Sequence, residues 1–292
     1  MMEFEQILKD NNITYVTAGQ HRHCRTGWIQ FDCPFCGQGT HKYHMGFNLE
    51  YHITNCWRCG GHSVIDTLKE LLGAPFHTVK ELLKDIPKAK VQQTIQTTGK
   101  LKLPDGLKPL QKQHKKYLKA RGFNPAELET LWKLQGTTIH ADLSWRLFIP
   151  IHVGDQIVSW TTRSISDNAQ RRYIGASKEH EAINKTQVLY GEQYCRHAIM
   201  ICEGPADVWK IGPGAVATMG LNFSAAQIEA MLKYPTRIIC LDNEKKAQAR
   251  AEVLADMLSV YEGNTFNVQL DSKDAGSATK KEINRLRKLI QT

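Results

Sequence analysis

Along the chain the spacing of apolar residues changes three times. SVIDTLKELLG (63–73) and HTVKELLKDI (77–86) place apolar residues three and four apart, which predicts two amphipathic helices. Residues 87–106, PKAKVQQTIQTTGKLKLPDG, are polar and Thr/Gln-rich with no period, as in a linker. HKKYLKARGF then predicts a helix ending at Gly122, and NPAELETLWKL a second, opened by Asn124 with Pro125 at its first position. WRLFIPIHV and QIVSWTTRSI are β-branched and aromatic runs separated by Gly154 and Asp155, the pattern of a hairpin.

From His197 the pattern shortens. HAIMICE, GAVATMG, RIICLD and FNVQLD are strand-like apolar runs. Between them lie the helical stretches PADVWKIG, SAAQIEAMLKY and KAQARAEVLADMLSVY. Strand and helix alternating in this way predict βαβ units and a largely parallel sheet. The fold class is therefore α/β, or α+β over the whole chain.

Size and charge narrow the function classes. The 292 residues suffice for two or three domains, each with its own core. No apolar run approaches the roughly 20 residues that cross a bilayer, and MMEFEQILKDNN has neither a basic n-region nor an apolar h-region. No membrane partner is expected, and the expected location is the cytoplasm, the host's if the chain is phage-encoded. A formal charge of +9, from 38 basic and 29 acidic residues, favours a polyanionic partner. Ten Lys/Arg and a single acid, Asp105, lie between Pro87 and Arg121, so the linker and the helix after it form a basic stripe.

Four of the eight cysteines fall in two close pairs, Cys33-Pro-Phe-Cys36 and Cys56-Trp-Arg-Cys59, nineteen residues apart. Two such knuckles bring four thiolates to the tetrahedral spacing of one structural Zn²⁺. The segment between reads as a small antiparallel sheet, a zinc ribbon whose own core is scarce, so that the metal contributes much of its folding. His41, His44, His52 and His62 are the competing ligands. Cys24, Cys195, Cys202 and Cys240 lack partner spacing and read as ordinary small residues. Trp28, Phe47, Tyr51 and Trp57 either stack on unpaired bases or form the ribbon's core.

Acids stand at or just after three strand-like runs: Glu203 and Asp207 in MICEGPAD, Asp242 and Glu244 in IICLDNE, Asp271 and Asp274 in VQLDSKDAG. Singly, each reads as a cap or a first-turn acid of the following helix. In a parallel sheet, however, the carboxyl ends of strands share one edge, and ligands sit there. Asp242 and Glu244, two apart on an extended chain, would point to the same side. Carboxylates so gathered repel one another unless a cation neutralises them, and hard oxygen ligands suit Mg²⁺ or Mn²⁺. Such ions serve phosphoryl chemistry.

These motifs carry a resemblance. MICEGPADVWKIG, AVATMGLNFSAAQI, IICLDNE and SKDAG resemble, in order, the TOPRIM motifs of topoisomerases and bacterial-type primases. CPFC with CWRCGGHSVID is similar to the zinc-binding domain that opens bacterial and phage primases. Between them YLKARGFNPAEL, RLFIPIHVGDQIVSWTTRS, RRYIGAS and NKTQVLYGEQY resemble those primases' RNA-polymerase region, so that the resemblance spans about 28–280. It implies a zinc ribbon over 1–86, a basic linker over 87–106, a mixed α+β basic subdomain over 107–195 and a Rossmann-like TOPRIM domain over 196–292. It further implies synthesis of short RNA primers on single-stranded DNA from ribonucleoside triphosphates with divalent metal, and a separate replicative helicase as partner, since no helicase segment is read here.

Carried over by position, the resemblance makes Glu203, Asp242 and Glu244 catalytic acids and metal ligands, with Asp207 and Asp274 as further metal ligands. Arg146, Arg163, Arg172, Tyr173 and Lys185 match the basic face that holds template and incoming nucleotide. The chain departs from the pattern in three places. Glu244 stands where aspartate is usual, Lys245 and Lys246 replace small residues, and Gly276 stands where a further aspartate is usual. Two rivals remain at this point: a TOPRIM metal-dependent nuclease, and a non-catalytic nucleic-acid-binding adaptor with a degenerate site.

Overall fold

The computed structural model describes residues 4–24, 26–49, 54–84, 99–138, 143–259 and 261–291. Most of the expected linker, residues 87–98, and the ribbon residues Tyr51 and His52 lie outside them. Chain contacts divide the protein into two units, Met1–Gln93 with Gln248–Asn267, and Thr94–Ala247 with Val268–Thr292.

The first unit opens with helix α1 (Phe4–Asp10). Five short strands follow, β1 (Tyr15–Thr17), β2 (Trp28–Phe31), β3 (Met45–Asn48), β4 (Thr54–Cys56) and β5 (Gly60–His62), each paired antiparallel with the next. Helices α2 (Val64–Leu72) and α3 (Phe76–Lys84) follow, and residues 248–267 belong to the same unit. Ser63 starts α2 by accepting the Asp66 N–H at 2.9 Å, and Gly73, at φ 59°, ends it in the left-handed conformation a side chain would resist. The core is larger than the knuckle segment alone promises, because the helices add to it. Phe4 of α1 stacks on Phe47 of β3 with centroids 3.6 Å apart, and Ile29, Phe31, Met45, Ile65 and Leu68 are buried around them. Phe47 is thus a core residue and takes no part in base stacking. Each such side chain contributes about 1.5–3 kcal/mol by leaving water.

The second unit contains two sheets. The first is antiparallel, in the order β10-β9-β8-β7-β6. Its strands are β6 (Leu107–Lys108), β7 (Gln135–Thr137), β8 (Arg146–Val153), β9 (Gln156–Ser164) and β10 (Tyr173–Gly175), with α4 (Lys112–Ala120) and α5 (Pro125–Thr130) between β6 and β7. The expected cap of α5 is present: Asn124 Oδ1 accepts the Ala126 N–H at 3.1 Å. The β8–β9 hairpin turns at Gly154, which adopts φ 57°.

The second sheet is parallel. Strand β11 (Ala198–Cys202) lies between β12 (Ala215–Ala217) and β13 (Thr236–Ile239). All five residues of β11 are buried, as expected of a strand covered on both faces. Helices α6 (Pro205–Ile211) and α7 (Ala225–Leu232) follow β11 and β12, and α8 (Lys245–Ser259) follows β13, most of it within the 248–267 segment of the first unit. The fourth apolar run forms only the short strand β14 (Asn264–Asn267), at the end of the first unit's 248–267 segment, and in the second unit Val268 donates to the Ile239 carbonyl at 2.8 Å. A last helix, α9 (Lys280–Gln291), buries Ile283 and Leu286. Among the described residues no helix is long and apolar enough to cross a membrane.

Candidate active site and metal centres

The four knuckle cysteines converge. Cys33 Sγ lies 3.6 Å from Cys59 Sγ and Cys36 Sγ lies 3.6 Å from Cys56 Sγ. Tetrahedral Zn–S bonds of about 2.3 Å place sulfurs roughly 3.8 Å apart. The four are the one group of three or more His, Cys or acidic side chains, among the described residues, whose ligand atoms all lie within 4.8 Å of one another. Of the competing histidines, His62 comes nearest, its Nε2 3.1 Å from Cys59 Sγ, and its ring stacks on Phe35. Burial pushes the Cys33 thiol up to about 11, so a metal entering the site displaces protons.

His41 and His44 instead line a ribbon cavity of about 900 Å³, with His21, Trp28, Gln30 and Trp57. Gly46 makes it possible. A Cβ there would sit 2.5 Å from the Trp57 ring and 2.8 Å from the Trp28 ring. The two indoles lie 5.7 Å apart, with Trp57 55% exposed. His21 Nδ1, Gln30 Oε1 and His44 Nδ1 are buried without a hydrogen-bond partner.

The acids meet in the second unit, in a cavity of about 540 Å³ at the carboxyl ends of β11 and β13. Glu203 follows β11 directly, and Gly220 donates to its carbonyl at 3.0 Å. Asp207 lies on the first turn of α6 and is buried, and both its oxygens are taken: Oδ2 accepts the Gly204 N–H at 3.2 Å and Oδ1 the Gly276 N–H at 3.0 Å. Asn243 stitches the turn after β13 to the 270–273 loop, donating its backbone N–H to the Lys273 carbonyl at 2.7 Å and its side-chain amide to the Leu270 carbonyl at 2.8 Å. Asp242 and Asp274 complete the acidic wall.

Crowding shows in the protonation. Burial, then the neighbouring Asp242, pushes both Glu203 and Asp207 up to about 7. Burial, then Asp274, raises Asp242 to about 6. Glu203 Oε1 is buried without a hydrogen-bond partner. An all-oxygen donor set, mutually repelling and with one orphaned buried oxygen, fits a hard divalent cation. The carboxylates do not share the tight spacing of the thiolates.

One expected ligand, Glu244, stands apart, as does Asp271, the other acid of the VQLDSKDAG run. Glu244 lies outside the cavity lining, with its side chain 58% exposed and paired with Lys273 Nζ at 3.1 Å. Asp271 is also at the surface, 3.8 Å from Arg285 Nη2. The physical reason is local. Strand β13 ends at Ile239, so the two-residue alternation that would put Asp242 and Glu244 on one side no longer applies.

The same cavity also has a basic lining. Arg163, Arg172, Tyr173 and Lys185 line the cavity, as does Arg121, which sequence reasoning placed only in the general basic stripe. Arg163 donates from Nε to the Tyr117 hydroxyl at 2.9 Å and from Nη1 to the Tyr173 hydroxyl. Gly175 leaves room for Lys185, since a Cβ there would come within 3.0 Å of its Nζ. Arg146 does not reach the cavity. It is buried, donating to Thr162 Oγ1 at 2.9 Å and to the carbonyls of Arg171 and Arg172 at 2.9 and 2.8 Å. It supports the strand end that presents Arg172 and Tyr173.

Residues 200–278 match the model of the Toprim-like family. A search of curated proteins returns no match. Among solved structures, the zinc-binding and RNA polymerase domains of the Aquifex aeolicus primase superpose with a TM-score of 0.53 at 16% identity, over 98% of this chain and 82% of that one. A DnaG catalytic core superposes with a TM-score of 0.53 at 16% identity, over 63% of this chain and 73% of that one. The chain has the fold of a bacterial-type primase. Within that primase fold the acids of the cavity belong to the Toprim-like segment, and Arg163 and Tyr173 to strands β9 and β10 of the antiparallel sheet before it. Gly276, which stands where the pattern usually carries a further aspartate, supplies a backbone amide to Asp207.

Proposed function

We propose that this protein is a DNA primase, a DNA-directed RNA polymerase that makes short primers de novo on single-stranded DNA from ribonucleoside triphosphates. The observation that carries the reading is one cavity, in a primase fold, lined both by Glu203, Asp242 and Asp274 and by Arg163, Arg172, Tyr173 and Lys185. That pairing matches a substrate whose polyphosphate brings its own divalent cation. Glu203, Asp242 and Asp274 would hold Mg²⁺ or Mn²⁺, with Glu244 at the rim. Asp207 keeps the loops of Glu203 and Asp274 together through its two backbone contacts. The ion supplies charge neutralisation at the reacting phosphate and polarises the attacking hydroxyl.

The chain's own groups bind and orient. Arg163 and Arg172 offer planar donor pairs to phosphate oxygens, and Lys185 a point charge. The tyrosine network clamps the Arg163 guanidinium, which lowers the entropy lost when it grips an anion. In the ribbon, the four cysteines hold one structural Zn²⁺. The cavity edged by Trp28 and Trp57 suits unpaired template bases, stacked on indole and read by the unpartnered His21, Gln30 and His44 atoms. A separate replicative helicase, in the same cytoplasm, is the proposed protein partner.

The test is incubation with single-stranded DNA, labelled ribonucleotides and Mg²⁺ or Mn²⁺. Template-dependent, alkali-labile oligomers of a few nucleotides are expected. Shortened DNA would identify a nuclease instead, and binding without product an adaptor.

A further inference from the structure

We infer that a basic recess between helices α6 and α9 is a further nucleic-acid site, separate from the catalytic cavity, in which Lys210, Lys280 and Arg287 hold a backbone phosphate of single-stranded DNA. The inference rests on the primase reading above. The recess, of about 280 Å³, is lined by these three cations and floored by Phe123, Trp209 and Ile283. Glu127 is the one acid among its described lining residues.

Two of the cations are held in place by the fold. Arg287 donates from Nε to the Ile211 carbonyl at 2.5 Å and from Nη2 to the Lys210 carbonyl at 3.1 Å, at the C-terminal end of α6. A guanidinium carries five N–H donors, so most of those on Arg287 remain for a ligand. The Lys210 ammonium lies 5.4 Å from the Phe123 ring centroid. It also packs over Gly122, where a Cβ would come within 3.3 Å of its Nζ.

The third cation works against its own helix. Thr279 Oγ1 starts α9 by accepting the Glu282 N–H at 3.2 Å, so Lys280 and Lys281 occupy the first turn, where the helix dipole disfavours positive charge. Glu282, the acid of that turn, is committed elsewhere, accepting the Asp271 N–H at 2.6 Å and the Ser272 hydroxyl at 2.7 Å. None of Lys210, Lys280 and Arg287 has a carboxylate within ion-pair distance among the described residues. Like charges gathered around one recess are relieved by a bound anion.

The surroundings decide which anion. A metal-bound triphosphate needs acids for its cation, and the recess has no acidic cluster. A phosphodiester, with one charge and no metal, suits it. The recess also adjoins the catalytic cavity: Arg121 lines the cavity and its neighbour Gly122 the recess, while on α6 Asp207 faces the first and Lys210 the second. Those two α6 residues are about one turn apart, roughly 5 Å along the axis. A strand with one phosphate at the cavity thus reaches the recess within a few nucleotides. A single strand can bend a phosphate into so small a recess, whereas a duplex holds its phosphates on a rigid grid.

The experiment is fluorescence anisotropy of labelled oligo-dT over a salt series, beside binding of a fluorescent ATP analogue in Mg²⁺ and a melting curve for each variant. Lys280→Gln and Lys210→Gln should each weaken oligo-dT about threefold or more and reduce the slope of log affinity against log salt by about 0.7, the loss of one phosphate contact. Lys281→Gln removes the same charge from the same helix but outside the recess, and should stay within twofold of wild type. Binding of the ATP analogue should be unchanged in all three, and Lys280→Gln should melt no lower than wild type. Oligo-dT affinity and salt slope unchanged in both Lys280→Gln and Lys210→Gln, or an equal loss in Lys281→Gln, overturns the inference alone. A wild-type protein that binds no single-stranded DNA overturns the primase reading and the inference with it.

Discussion

Gly276 donates its backbone N–H to Oδ1 of Asp207 at 3.0 Å, across 69 residues of sequence. The same carboxyl accepts the Gly204 N–H, so one buried side chain ties the turn after β11 to the 274–276 loop. A Cβ on residue 276 would lie 3.3 Å from both Asp207 Oδ1 and Asp274 Oδ1. We expect Gly276→Ala to force these loops apart, lowering Mn²⁺ affinity several-fold in calorimetry. It should also cost roughly 1 kcal/mol, or about 2–4 °C in melting temperature. A variant unchanged in both would show that the closure does not shape the acidic wall.

The raised carboxyls make cation binding depend on pH. Glu203 and Asp207 titrate at about 7 and Asp242 at about 6, so a cation entering below neutrality must displace protons. Mn²⁺ affinity should rise by about tenfold or more from pH 6 to 7.5 and level off above. Without cation the sign reverses for stability. These groups titrate higher folded than unfolded, so their contribution declines as pH climbs from the ordinary carboxyl range through about 7. Melting with and without Mn²⁺ should therefore diverge with rising pH. A constant gap between pH 5.5 and 8 would contradict the crowding of these acids.

Arg146→Ala should act through folding and not through direct contact. It strips the Arg171 and Arg172 carbonyls of a buried donor, which costs about 2 kcal/mol or more. The melting temperature should fall clearly, while Arg172→Ala, on the cavity wall, should leave it nearly unchanged. Equal melting temperatures for the two variants would contradict the buried position of Arg146.

Cys36→Ser should abolish bound zinc, since three thiolates and a hydroxyl make a poor site. Atomic absorption should read one zinc per wild-type chain and much less in the variant. One zinc in both would show that the four sulfurs are not the ligands.

Much of the fold could be read from local chemistry. Asn124 followed by Pro125 announces α5, the paired knuckles announce the thiolate site, and the apolar run HAIMIC announces a strand buried on both faces. What escaped was decided by tertiary context. The alternation that places Asp242 and Glu244 together holds only while the chain is extended, and β13 stops at Ile239, leaving Glu244 to pair with Lys273. Arg146 and Arg163 look alike in sequence, yet one is consumed by carbonyls and the other faces the cavity. Arg121 was hidden among ten basic residues of one stripe, and only its place in the cavity lining singles it out. Helix α9 was legible too, since Ile283, Leu286 and Ile290 repeat at three- and four-residue spacing among charges, although no helix was read there.

The most direct measurement is primer synthesis by Glu203→Gln beside wild type, on single-stranded DNA with ribonucleotides and Mn²⁺, with DNA binding and zinc content measured on the same preparations. Glu203 offers the buried orphaned oxygen of the acidic wall, and its replacement is nearly isosteric. The expected result is template-dependent oligoribonucleotides from wild type, a loss of at least about 100-fold in the variant, and unchanged DNA binding and zinc. Undiminished synthesis by the variant would contradict the assignment of chemistry to this cavity.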